Sequence, residues 1–309
     1  MTRPRRPAHF PLRASSGART ALPEASLREA RRHRRWAALG AACGAVVGIV
    51  AFLPATLVAN AVSGATGDRV VLAEVEGTVW NGSGLAVLTG GPGSRDASVL
   101  PSRLEWQLRP RWNGAAVHLS QDCCMQGGVD VRVHAGWRTT RIEVADAPGD
   151  GVFAQWPAGW LEGLGSLWKT VHPGGLLRLG TRHFAVVRDG NDWHVDGEAR
   201  LEIRQASARL TTLDTLGSYQ LVLAGTAAPA AAPGGAAAAA VSHPVGEPAH
   251  LTLSTLDGAL ILDGTGEIGA HGARFRGQAR AAPGSEDALN NLLNIIGRRS
   301  GATSLISIG

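Results

Sequence analysis

The stretch LEWQLRP, Leu104–Pro110, alternates apolar and polar residues without a break and then meets a proline. Leu104, Trp106 and Leu108 fall on one side of an extended chain and Glu105, Gln107 and Arg109 on the other, the pattern of a strand with one buried face. Pro110 is expected to stop it. Working outward, Val117–Leu119, Val129–His134, Arg141–Val144, Trp193–Val195 and Leu201–Ile203 repeat the alternation. Leu176–Val187, Tyr219–Leu223, Leu251–Leu262 and Phe275–Ala279 extend the series, with Gly, Asp and Pro clusters between them. Many short strands with little helix between them predict a mainly β protein, built on an antiparallel sheet with one apolar face.

VEGTVWNGSG, Val75–Gly84, lies upstream of these strands. It predicts a first strand from Val75 to Trp80, with Gly77 permitting a bulge or close approach, Trp80 packing the inner face and Asn81-Gly82 turning the chain. Two helices are expected. One covers Trp160–Val171, where Leu161, Leu164, Trp168 and Val171 have helical spacing weakened by Gly163 and Gly165. The other covers about 285–297, with Ser285 as cap and Glu286 and Asp287 in the first turn. Its apolar face is Leu289, Leu292, Leu293 and Ile296, and Gly297 ends it before Arg298 and Arg299. A short apolar segment, Ser304–Ile308, closes the chain.

The charge distribution is uneven. Net charge is +5 and the pI about 10.0 over 309 residues. Residues 1–35 hold ten arginines against Glu24 and Glu29, a net +8, which leaves −3 for residues 36–309. Basicity confined to a tail excludes a phosphate-tracking groove in the folded part and so argues against nucleic-acid binding. After the tail, Trp36–Ala59 runs 24 residues without a charge. As one helix it would reach about 36 Å, enough to cross a bilayer core of about 30 Å. Arg31, Arg32, Arg34 and Arg35 would hold the N-terminus in the cytoplasm and export the chain beyond residue 60. Ala59-Asn60-Ala61 resembles a signal-peptide cleavage site, but the apolar run is too long and the tail too extended for a leader, so an uncleaved anchor is expected.

Chemistry-bearing patterns are few. The chain has no nucleophile elbow, zinc-protease helix, cysteine-pair zinc spacing or P-loop. GTGEIG, Gly264–Gly269, fits a dinucleotide fingerprint formally, but AHGARFRGQA comes after it with no apolar helical face, so strand-turn glycines are the expected reading. His118, His134 and His194 fall on the polar side of their strands, where exposure to solvent is expected. Of three cysteines, Cys123 and Cys124 are adjacent in QDCCMQGG; a vicinal disulfide could close there, and an unbonded pair on a turn is the expectation. Nine of the fifteen aromatics are tryptophan. Trp80, Trp106 and Trp193 sit inside strand patterns, either packing a core or lining an apolar groove. No cofactor, metal ligand or catalytic residue is indicated, and the chain is not expected to be an enzyme. Ala227–Pro248, rich in Ala, Pro and Gly, reads as an overgrown hairpin connection.

Taken in order, the basic tail, the apolar run, LAEVEGTVWNGSG, LEWQLRP, LTTLDTLGSYQLVLAG, LTLSTLDGALILDGTGEIG and ARFRGQARAAPGSEDALNNLLNIIGRR resemble the type II secretion system protein N family. The similarity covers most of residues 69–309. Gly77, Thr78, Trp80, Trp106, Pro110, Leu216, Gly217, Tyr219, Gly258, Leu289 and Gly297 match its recurrent positions and are expected to make the fold. The resemblance, which extends to the AsmA-like group, implies a curved, open antiparallel half-barrel behind a single transmembrane helix. The expected organisation is a cytoplasmic tail (1–35), an anchor (36–59), a periplasmic β domain (60–226), a loop (227–248) and the continuation of that domain (249–309).

In function, the family resemblance implies an accessory inner-membrane component of the type II protein secretion system, with other subunits of the machine as partners. The alternative is an AsmA-like periplasmic module whose apolar groove holds or transfers lipid.

Overall fold

The computed structural model describes residues 24–146, 149, 151–190, 192–225, 248–269 and 272–309, with the side chains of residues 24–35 and of Leu167 left aside. Most of the Ala/Pro/Gly-rich connection therefore lies outside the described residues. The chain divides into two compact units between Ala51 and Phe52.

Helix α1, Glu24–Ala51, carries the apolar run only in part. From Trp36 to Ala51 it is apolar on every side, and Trp36, Leu39, Val46, Val47 and Ile49 are all exposed. The expected single helix over residues 36–59 does not form. Pro54 has no amide hydrogen and disfavours helix in the residue before it, so α1 stops short of it. Thr56–Ala59 instead open a second helix, α2, Thr56–Thr66, which Gly67 ends in the left-handed region by donating its N–H to Ser63 O. Among the described residues, no helix is long and apolar enough to cross a membrane.

The second unit is one open antiparallel sheet, fifteen strands among the described residues. They are β1 (Val70–Gly77), β2 (Asn81–Thr89), β3 (Ala97–Arg111), β4 (Gly114–Ser120), β5 (Val129–Ala135), β6 (Thr139–Val144), β7 (Val152–Pro157) and β8 (Gly174–Asp189). The rest are β9 (Asp192–Ser207), β10 (Gly217–Ala224), β11 (Ala249–Gly258), β12 (Leu260–Gly269), β13 (Gly272–Ala281), β14 (Arg298–Ser300) and β15 (Thr303–Ile308). Their order is the chain order apart from two departures. β14 lies outside β15, and β7 shares with β6 one edge of β8, β6 opposite Ala185–Asp189 and β7 opposite Leu176–Gly180. β1 and β14 do not meet, so the sheet stays open.

Alternation located most strands, and the departures have local causes. β3 runs through Pro110 to Arg111, because β2 reaches only to Gln107 and a missing donor near a free edge costs little. Trp193–Val195 and Leu201–Ile203 are one strand, β9. Gly197, at φ +72°, bends inside it opposite a bulge in β8, and a Cβ there would stand 2.3 Å from His183 O. Leu251–Leu262 is two strands joined at Gly258-Ala259. β2, β7 and β14 carry no clean alternation and were not expected. β1 ends at Gly77, its bulge at Glu74, which has φ +48°; Trp80 stands in the turn, and Asn81-Gly82 begins β2 rather than turning. The expected helix over residues 160–171 is a 3-10 turn, Ala158–Leu164, and a short helix α3, Ser166–Val171, separated by Gly165 at φ +134°.

One face of the sheet holds the core. Beneath α2, Ala55, Val58, Ala59 and Val62 pack with Leu72, Ala86, Leu100 and Trp106. Phe153, Ala154 and Val129 form a neighbouring cluster, which Trp156 bridges to the first. Helix α4, Glu286–Ile296, covers the C-terminal third: Leu289, Leu292 and Leu293 are buried against Leu216, Tyr219, Leu260 and Ala279. Ser285 precedes it as expected but makes no side-chain cap; its carbonyl accepts from Leu289 N.

Candidate functional site

Of the eleven residues singled out in the sequence, nine gather into two knots, and Pro110 and Gly297 lie outside them. The first knot lies where the chain enters the sheet. The β1–β2 turn is closed by Thr78, whose N–H donates to Asn81 O (2.8 Å) and whose hydroxyl accepts from Asn81 N (3.2 Å). The incoming chain is tied to this turn: Ala55 N donates to Gly77 O, Val79 N to Leu53 O, and Pro54 bridges Thr78. Trp106, 4% exposed, donates its indole N–H to Val79 O at 3.2 Å, and Leu108 N donates to Trp80 O at 2.7 Å. Gly77 has φ +90°, and a Cβ on it would stand 2.5 Å from Asn81 O, so only glycine fits. Pro110 sits two residues past this knot, on the free edge of β3.

The second knot lies under α4. Leu216 N donates to Ala206 O and Leu216 O accepts from Leu260 N, stitching β9 to β12 across β10 and β11. Gly217 and Gly258 pair directly; a Cβ on Gly258 would lie 2.2 Å from Gly217 Cα. Their bare backbones let the strands close beneath Tyr219, whose hydroxyl donates to Leu260 O at 2.9 Å. Burial, with Asp257 adding to it, pushes that phenol's pKa well above its ordinary value. Leu289 fills the space above, wholly buried. Gly297 stands apart, in extended backbone, where a Cβ would meet Leu305 O at 2.4 Å. The contacts made around Gly77, Trp106, Gly217, Tyr219, Gly258, Leu289 and Gly297 are packing and backbone closure, whereas Pro110 is exposed.

The opposite face is polar. His118 Nδ1 lies 2.8 Å from Asp130, and His134 Nε2 lies 3.8 Å from Glu143. His194, expected in solvent, is half-buried beside Asp196, with no hydrogen-bond partner for Nδ1 among the described residues. Arg141 spans Glu143 (2.6 Å) and Asp196 (2.7 Å); burial works against its charge, and these hydrogen bonds outweigh it. A cleft of about 450 Å³ between β3, β4 and β5 is lined by Arg109, Arg111, Arg132, His118 and Asp130. Another, of about 520 Å³, is lined in part by His250, Glu267, Arg274 and Arg276. These are salt-laced surfaces, without a nucleophile and base in register. Among the described residues no group of three His, Cys, Asp or Glu side chains is placed to hold a metal. Gly264–Gly269 is a strand, and a Cβ on Gly264 would meet Phe275 Cζ at 2.3 Å, so these glycines make room for a ring.

Cys123 and Cys124 are bonded to each other, correcting the expectation of an unbonded pair. The turn that carries them reaches β7: Gln155 N donates to Cys124 O and Met125 bridges Ala154. Buried beside it, Gln121 donates to Ser102 O and accepts from Trp156 Nε1, both at 2.8 Å. Sequence reading passed over Gln121, since one glutamine before a turn carries no pattern. It also passed over Trp112 and Trp137, which stand at turns, although tryptophan beside Asn-Gly in WNG and after glycine in GWR was the available signal.

Compared with known proteins, the chain matches no curated protein and no solved structure. The family described as type II secretion system (T2SS), protein N matches it over residues 68–305. That region takes in every strand from β1 to β14, the second knot, and the first knot apart from Leu53–Ala55. The chain therefore belongs to the type II secretion system protein N family.

Proposed function

We propose that the protein is an accessory inner-membrane subunit of the type II secretion machine, working by contact with its other subunits and not by catalysis. Family membership over residues 68–305 makes it a component of that system, and the open sheet carries the reading of how it acts. Among the described residues β14 pairs only with Thr303–Leu305, leaving Ile306–Ile308 of β15 without an outer strand, and β1 pairs with no strand but β2. Such edges accept a strand from a partner.

Helix α1 is the anchor in this reading. Its apolar part, Trp36–Ala51, reaches about 24 Å, short of a bilayer core of about 30 Å, a mismatch that local thinning of the bilayer can accommodate. A helix apolar all round and exposed calls for an apolar surrounding. The arginine-rich tail keeps the N-terminus cytoplasmic and puts the β body, curved as the AsmA-like resemblance implies, in the periplasm. The lipid-groove alternative rests on that resemblance alone, since α2, the 3-10 turn and α4 already pack the apolar face.

Deletion of the gene tests the reading. Loss of the machine's exported substrates from the medium, with inner-membrane secretion subunits co-purifying with the tagged chain, is expected; intact secretion with no co-purifying subunit overturns it.

A further inference from the structure

Four turns stand side by side at one end of the sheet. They are Thr78–Trp80 between β1 and β2, Trp112-Asn113 between β3 and β4, Gly136–Arg138 between β5 and β6, and the turn at Gly190 between β8 and β9. Backbone hydrogen bonds tie them into a row: Leu108 N to Trp80 O, Ala135 N to Asn113 O (2.8 Å), and Gly190 N to Arg138 O (3.2 Å). The row begins at the chain's entry, because Val79 N donates to Leu53 O. Whatever holds the residues before Leu53 is therefore covalently joined to this end.

Trp112 and Trp137 are fully exposed, at 105% and 101%, while Trp106, within β3, is 4% exposed. Two indoles held out on hairpin turns are costly in water and bury nothing against the protein itself. Arg109, Arg111, Arg138 and Arg188 stand at the turns and strand ends of the same end of the sheet, all exposed and none within 4 Å of a carboxylate among the described residues. The acids near them are Asp189 and Asp192 at the last turn and Asp130, which shares a cleft with Arg109 and Arg111 and is engaged by His118. Tryptophan with arginine at the tips of one end is the composition of a water–lipid interface, where the indole sits at headgroup level and the guanidinium meets phosphate. A protein partner would be served by either feature anywhere on the sheet; only a bilayer explains why both fall at the end where the chain arrives.

We propose that this end of the sheet rests on the bilayer surface, with Trp112 and Trp137 seated at the interface and Arg109, Arg111, Arg138 and Arg188 facing anionic headgroups. The inference rests on the anchor reading, which brings a bilayer to the end where the chain arrives.

The full chain, with Cys43→Ser and one added cysteine carrying a fluorescent probe, is reconstituted into vesicles of phosphatidylethanolamine and phosphatidylglycerol containing quencher lipids of shallow or deep label. Probes at Trp112→Cys and Trp137→Cys are expected to be quenched by the shallow label roughly threefold more than one at Arg95→Cys, at the sheet's other end, and less when phosphatidylcholine replaces phosphatidylglycerol. A probe at Val46→Cys reports on the anchor separately through the deep label. Quenching at 46 without quenching at 112 and 137 overturns this inference and leaves the anchor standing. Quenching at 112 and 137 without 46 does the reverse. Probes at 112 and 137 that are shielded only when other secretion subunits are added overturn it in favour of a protein partner.

Discussion

Trp106 and Gly82 are pressed together across β2 and β3: a Cβ on Gly82 would stand 2.5 Å from Cζ2 of the indole and 2.8 Å from Glu76 O. The absent side chain is what allows the ring to lie over the strand and still reach Val79 O. Gly82→Ala is expected to destabilise the β body by about 1–3 kcal/mol, the cost of overpacking a filled site. Urea unfolding of the purified chain measures it, and an unchanged midpoint would show that the ring moves aside freely.

Tyr219 couples the second knot to pH. Its folded-state pKa lies above the unfolded value of about 10, so the folded form holds the proton longer. Stability from this group is therefore full below about pH 10 and falls as pH rises beyond it. Tyr219→Phe should cost about 1 kcal/mol at neutral pH through the lost bond to Leu260 O, and should flatten the alkaline decline. Melting curves between neutral and strongly alkaline pH would reveal parallel declines if the phenol were not responsible.

Gln121 satisfies two groups at once. Its truncation to alanine leaves the Trp156 indole N–H and the Ser102 carbonyl without their partner, at a cost of about 2 kcal/mol or more. Tryptophan fluorescence during denaturation tracks the change, and a loss below a few tenths would mean that water replaces the amide.

Thiol counting checks the vicinal bond. Of three cysteines, only Cys43 is free, so the denatured, unreduced chain should take up one alkylating group, and the reduced chain three. Mass spectrometry distinguishes these, and three groups without reductant would make Cys123 and Cys124 separate thiols.

Helix α4 is held by its buried leucines. Leu292→Ala should cost about 2–5 kcal/mol by leaving a cavity against Tyr219 and Leu260, and proteolysis near the C-terminus should speed up accordingly.

How far the chain could be read in advance depended on which period a segment obeys. β3 and β5 show strict alternation because one face is the more buried and the other the wetter; β6 alternates too, although its Ile142 stays exposed. β2 and β7 hide theirs, since Gly82 and Gly84 face the core with no side chain and both Phe153 and Ala154 of β7 are buried. Leu289, Leu292 and Leu293 announced α4 through helical spacing on one side. The break before Pro54 was legible in the proline itself, which a count of charge-free residues does not weigh. The motif residues of each knot were visible as positions, but only pairing across strands shows that Gly217 faces Gly258, far away in the chain. Arginine and tryptophan at the turns were legible one by one; their meeting at a single end is a property of strand direction.

The near-sequential stacking of strands also governs how such a body is made. A polypeptide threaded lengthwise through a narrow passage delivers its hairpins in the order in which they dock, so each can zip onto the one before it without waiting for the rest. Two steps break this rhythm: β6 must hold an open flank until β8 arrives, and β13 until β15. Those pauses are where a stalled or interrupted chain would expose a sticky edge, and where holdase assistance would matter most.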